Sequence, residues 1–233
     1  MGFLLLHRGT FSRERISSTL WPDLTDSEAR ARLRRTSYEL VQSLPTTDVP
    51  WLWADAARMA WNADAPLWCD VDVFERLCAN DDTRASALEV YRGDLLGETD
   101  AEWVVEERAR LRERLLETIE IVAAAYIASG DASRAARYYR RLLRLDPFRE
   151  DVIRALLALR YSLGDRAGAI AEYRTFVRRL DAELGVAPMP ETIACYENLL
   201  HDDRHVTHAG RFRQIDTFTF ARIVTPAAFA NAR

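Results

Sequence analysis

Gly130-Asp131-Ala132-Ser133-Arg134-Ala135-Ala136-Arg137-Tyr138-Tyr139 returns 34 residues later as Gly164-Asp165-Arg166-Ala167-Gly168-Ala169-Ile170-Ala171-Glu172-Tyr173. The Gly-Asp pair, the alanine at Ala135 and Ala169 and the tyrosine at Tyr139 and Tyr173 keep their offsets, and Leu142 is matched by Phe176. A 34-residue period of this kind is the signature of the tetratricopeptide (TPR) helix–turn–helix. Small residues let the paired helices approach and aromatic rings fill the space between them. The repeat residues therefore read as core. Tyr138 and Arg160, their neighbours, are the side chains that a concave peptide groove would use, although nothing in the pattern selects them strongly.

Helical periodicity extends on both sides of the repeat. Downstream, helices are expected at 132–145, 149–163, 166–183 and 190–200, with Pro147 and Pro190 placed as first-turn prolines. Upstream, a long helix over 101–129 carries an inner stripe of Val104, Leu111, Leu115, Ile119, Val122 and Tyr126. Two short helices near 72–79 and 83–91 precede it.

The first 66 residues follow another plan. Residues 2–7 read as a helix end and Arg8-Gly9-Thr10 as a turn. Ser12 caps a second helix with Ile16 and Leu20 inward, which stops at Trp21-Pro22. Thr25-Asp26-Ser27-Glu28 is a capping box. The third helix it opens runs to about Leu44, with Ala29, Leu33, Ser37, Leu40 and Leu44 on one face. Trp51-Leu52-Trp53 and Arg58-Met59-Ala60-Trp61 read as two strands around a turn. Alternating tryptophans in such a hairpin are expected to pack on the neighbouring helices rather than to stack on a ligand. Helix, turn, helix and hairpin is the order of a winged helix-turn-helix, whose third helix reads DNA.

Charge is consistent with that assignment. All 32 basic residues are arginine and the net charge is −4. Residues 1–45 hold seven arginines against five acids, whereas residues 46–100 hold four against twelve. Only the N-terminal segment is suited to a polyanion. Its candidate DNA-binding residues are Arg30, Arg32, Arg34, Arg35 and Tyr38, which lie off the apolar face of the third helix. The competing reading is a solvated face laced by Asp26–Arg30 and Glu28–Arg32 pairs at i,i+4.

Chemistry of other kinds is not signalled. The sequence has no GxxxxGK[ST] or GxGxxG loop and no GxSxG elbow, so neither an enzyme nor a bound cofactor is expected. Three cysteines without a CxxC pair argue against a disulfide framework. No apolar run approaches a membrane span, and a cytoplasmic location with no membrane partner is the expectation. His201, His205 and His208 with Asp202 and Asp203 have metal-ligating side chains, but no ligand pattern, and periodicity fades there. Residues 201–233 read as a poorly ordered tail.

Several segments together resemble the bacterial transcriptional activator domain (BTAD) joined to an OmpR-type winged helix, as in SARP-type regulators. They are Leu4-Leu5-Leu6-His7-Arg8-Gly9, Leu20-Trp21-Pro22, Ala29…Leu33-Arg34-Arg35, and Trp68-Cys69-Asp70-Val71-Asp72-Val73-Phe74-Glu75. Tyr91-Arg92-Gly93-Asp94-Leu95-Leu96, Trp103…Glu106-Glu107-Arg108…Leu111, Leu145-Asp146-Pro147 and Glu183-Leu184-Gly185-Val186…Pro190-Glu191-Thr192 continue the series. The resemblance implies a mainly α protein: a partial winged helix-turn-helix at 1–66, then a TPR-like helical-repeat domain at 67–200. Such regulators carry further β-strands ahead of the Leu-rich segment, so the winged helix is expected to be truncated here. Their implied partners are promoter DNA, often as direct repeats, RNA polymerase and a second copy of the chain. The alternative is a TPR-type protein-interaction module without autonomous DNA binding.

Overall fold

A computed structural model describes residues 2–201. The expected tail lies outside the described residues except for His201, as does the rest of the histidine and aspartate cluster. The protein is mainly α-helical, and its helices fall where the periodicity places them. It divides into two compact units, Met1–Leu115 and Leu116–Arg233.

The first unit opens with α1 (Gly2–Leu6), β1 (Phe11–Ser12), α2 (Arg13–Leu20) and α3 (Asp26–Ser43). The hairpin β2 (Leu52–Ala54) and β3 (Arg58–Trp61) follows, and then α4 (Asp70–Cys78) and α5 (Arg84–Val90). The strands form an antiparallel sheet ordered β1-β3-β2, with Phe11 opposite Met59 and Trp53 opposite Ala60. The sequence pattern misses β1. Two residues have no period to show, and their partner lies 48 residues away at Met59.

Phe3, Leu4, Ile16, Leu33 and Met59 form the buried centre of this unit, with Phe11, Trp21, Trp61 and Trp103 packed against it. Both helix N-termini of the helix–turn–helix are closed locally. The Ser12 hydroxyl accepts from the Arg15 N–H at 3.1 Å. At α3 the capping box forms, the Glu28 carboxylate accepting from the Thr25 N–H at 3.1 Å and its hydroxyl at 2.6 Å. These bonds hold Glu28 below the usual carboxylate range. Glu28 is thus occupied with the cap, and the expected Glu28–Arg32 pair does not form.

The tryptophans of the hairpin divide. Trp51 is buried, donates to the Pro45 carbonyl at 2.7 Å and lies 5.7 Å from the Trp61 ring. Trp53, two residues further on, is 56% exposed, so this third ring does not pack as expected.

Helix α6 (Glu102–Ala128) runs through the division between the units, and its inner stripe from Val104 to Val122 is buried as expected. The second unit continues with α7 (Ala132–Leu145), α8 (Glu150–Ser162), α9 (Arg166–Leu184) and α10 (Pro190–His201). The repeated Gly-Asp now has a physical cause. Gly130 and Gly164 take φ of 81° and 76°, a left-handed conformation that glycine adopts without steric cost. In each turn the next N–H reaches back to close the preceding helix: Asp131 to Tyr126 at 2.8 Å and Asp165 to Arg160 at 2.9 Å. The same aspartates then cap the following helix, accepting from the Arg134 and Gly168 N–H groups at 2.9 Å. Ala135, Tyr139, Leu142, Ala169, Tyr173 and Phe176 are all buried. Arg160 is held between Asp165 and Glu172, while Tyr138 stacks on Tyr126 with ring centroids 5.5 Å apart.

Candidate nucleic-acid interface

Helix α3 has one apolar stripe, and its register fixes what the rest of the helix presents. Ala29 and Leu33 are buried, and Ser37 donates to the Leu33 carbonyl at 2.7 Å. Arg30, Arg32, Arg34, Arg35 and Tyr38 are all exposed. They do not form one group.

Arg30, Arg34 and Tyr38 follow one another at intervals of four residues and line a single exposed stripe, which Val41 extends. Arg35 flanks that stripe. Arg32 lies about 160° around the helix from Arg34. Its guanidinium sits over the Trp21 ring, 5.5 Å from the centroid, at the opposite edge of the helix.

Their electrostatics differ as well. Arg30 folds back on the helix N-terminus, donating to the Asp26 carbonyl at 3.1 Å with the Asp26 carboxylate at 3.8 Å. Arg35 donates to Glu39 at 2.8 Å, which raises its already high pKa. Both are exposed pairs of the weak kind, open to competition from a stronger anion. Arg34 carries no ion pair among the described residues. Tyr38 is 67% exposed, the most open large hydrophobic side chain on the helix.

The hairpin that follows is a built turn. Asp55 accepts from the Ala57 and Arg58 N–H groups, each at 2.7 Å, and its own N–H donates to the Arg58 carbonyl at 3.0 Å. These two bonds hold the Asp55 carboxyl below its usual range. Arg13 of α2 ties the turn down from outside, donating to the Asp55 carbonyl at 2.8 Å. The wing is thus anchored to α2, the helix that precedes α3. Its exposed Trp53 is a feature that strand alternation does not reveal, because Trp51, two residues before it, is buried.

The first unit also has an open cleft of about 630 Å³, lined by Arg8, Trp68, Asp72 and Arg76 among others. It includes none of the α3 side chains, and Arg8 and Asp72 neutralise each other at 2.7 Å. Among the described residues no group of histidine, cysteine, aspartate and glutamate side chains is arranged to hold a metal. No helix among them is long and apolar enough to cross a membrane.

Comparison with known proteins gives these features a context. A family model described as the bacterial transcriptional activator domain matches residues 69–200. The transcriptional regulatory protein MoaR1 of Mycobacterium tuberculosis (strain ATCC 25618 / H37Rv) is 32% identical over 117 residues, which is 49% of this chain and 37% of that protein. MoaR1 of Mycobacterium bovis (strain BCG / Pasteur 1173P2) matches to the same extent. The match therefore spans little more than a third of the length of these relatives. Among solved structures, Mycobacterium tuberculosis EmbR in complex with a low-affinity phosphopeptide is similar in fold, with a TM-score of 0.66 and 21% identity. That likeness covers 95% of this chain and 62% of the EmbR chain.

Proposed function

We propose that this chain, which belongs to the bacterial transcriptional activator domain family, regulates transcription by binding promoter DNA through α3. In this reading residues 1–66 are the DNA-binding part. Residues 67–200 mediate contact with a second copy and with RNA polymerase, and no reaction is catalysed. The setting is the cytoplasm.

The observation that carries the DNA half is the exposed Arg30–Arg34–Tyr38 stripe, about 100° around the helix from the buried stripe on the second helix of a helix–turn–helix. A helix seated on its scaffold by one face presents the other to the major groove. Guanidinium groups match both phosphates and base edges there. The acidic excess of residues 46–100 leaves this segment as the favourable approach for a polyanion.

Fluorescence anisotropy on duplexes from the promoter region upstream of the gene tests the proposal. Affinity should fall steeply as salt rises, because each neutralised phosphate releases counterions. The combined change Arg30→Ala, Arg34→Ala and Arg35→Ala should abolish binding without lowering the melting temperature. Binding that survives the triple change would remove α3 from the interface.

One observation favours a second reading. Two of the three arginines on or beside the stripe are already engaged by Asp26 and Glu39. A protein-interaction module whose head only packs would look similar. Co-purification separates the two: a partner lost on Tyr173→Ala but retained by the triple arginine variant supports the interaction module.

A further inference from the structure

The unequal engagement of the α3 arginines carries an assignment beyond DNA binding as such. Arg30 is tied to Asp26, Arg35 to Glu39, and Arg32 is turned away over Trp21. Arg34 alone among them stands at the middle of the exposed stripe with no ion pair among the described residues. One turn before it on the same face is Arg30. One turn after it, Tyr38 presents an open ring, followed by exposed Val41.

We infer that Arg34 is the residue that gives this protein its sequence preference, by donating in a bidentate manner to a guanine in the major groove, with Tyr38 against a thymine methyl nearby. The inference rests on the reading of α3 as the DNA-contacting helix. A guanine offers two acceptors, N7 and O6, on one edge, and the fork of an arginine that has no carboxylate to leave matches them. Arg30 and Arg35 must first give up a carboxylate, so they are better suited to phosphates, whose charge replaces the one they lose. A thymine methyl is the apolar feature of the major groove that an exposed aromatic ring covers.

The spacing follows from two pitches. Four helical residues rise about 6 Å, and successive base pairs about 3.4 Å. The thymine therefore lies about two base pairs from the guanine when α3 lies along the groove.

The test is selection of bound duplexes from a random double-stranded library by the full chain, followed by sequencing. The wild-type protein should enrich a site with an invariant guanine and a thymine two base pairs away. Arg34→Ala should lose the guanine and keep the thymine, and Tyr38→Ala should do the reverse. A second measurement does not depend on any variant folding. Replacing that guanine with 7-deazaguanine, which lacks the N7 acceptor, should weaken wild-type binding about tenfold, and unchanged wild-type binding overturns the guanine contact. Enrichment of the same guanine by Arg34→Ala overturns the assignment while leaving DNA binding intact. Failure of the wild-type protein to enrich any site overturns the DNA reading itself, and this assignment with it.

Discussion

Glu39 is a carboxylate on a helix proposed to meet a polyanion, and it holds Arg35 at 2.8 Å. Its removal should help rather than harm. Glu39→Gln keeps the shape, deletes a negative charge beside the phosphates and frees one guanidinium. DNA affinity at low salt should rise several-fold, with the salt dependence steepened by about one phosphate contact. A titration at several salt concentrations reads both. The example also shows what single residues disclose in a sequence. The Asp26–Arg30 pair follows from spacing alone, because both partners lie on one helix. The position of Arg32 over Trp21 does not, because it depends on how α2 and α3 cross. Likewise, alternation would put Trp51 and Trp53, two residues apart, on one strand face, and it does not disclose that Trp51 is buried while Trp53 is exposed.

At the scale of elements, the Gly-Asp turns do the most to define the repeat. Gly164 has a left-handed φ of 76°, and a Cβ there would meet open space, so the cost of substitution is conformational alone. Gly164→Ala should destabilise the protein by about 1–2 kcal/mol, read as a lowered denaturant midpoint at unchanged slope. Gly93→Ala, also in open space but without a positive φ, is the control and should be near neutral. Ala169 is completely buried, and Ala169→Leu should cost about 1–3 kcal/mol by overpacking between the helices. These elements were legible in the sequence because their causes are local: caps, glycines and a 3.6-residue period. The short strand β1 was not, since only its pairing with β3 makes it a strand. The ion pairing of Arg160 was hidden too, because Glu172 comes to it from the next helix.

For the whole molecule, the two compact units share a response to alkali. Burial is the first cause that pushes Tyr91 in the first unit and Tyr139 in the second up to about 12. A folded-state pKa above the unfolded value of about 10 means that the native state favours the neutral phenol. That contribution is fully present below pH about 10 and is lost as pH rises toward 12. Thermal stability should therefore be insensitive to these groups at neutral pH and decline above pH 10. Tyr139→Phe should flatten part of the decline, provided that the ring still fills its site. Absorbance of tyrosinate in the native protein should show Tyr91 and Tyr139 among its late-titrating groups.

The passage of α6 through the boundary at Leu115 and Leu116 has a practical consequence for dissecting the protein. Its 27 residues leave no loop there to cut. A fragment beginning at Leu116 would start in mid-helix, with backbone N–H groups that lose their acceptors and no side chain placed to cap them. The natural place to begin such a fragment is Ala101, about four helical turns before the division, even though that carries part of the first unit's packing surface into solvent. Boundaries drawn from compactness and boundaries fit for cutting are, in this chain, different places.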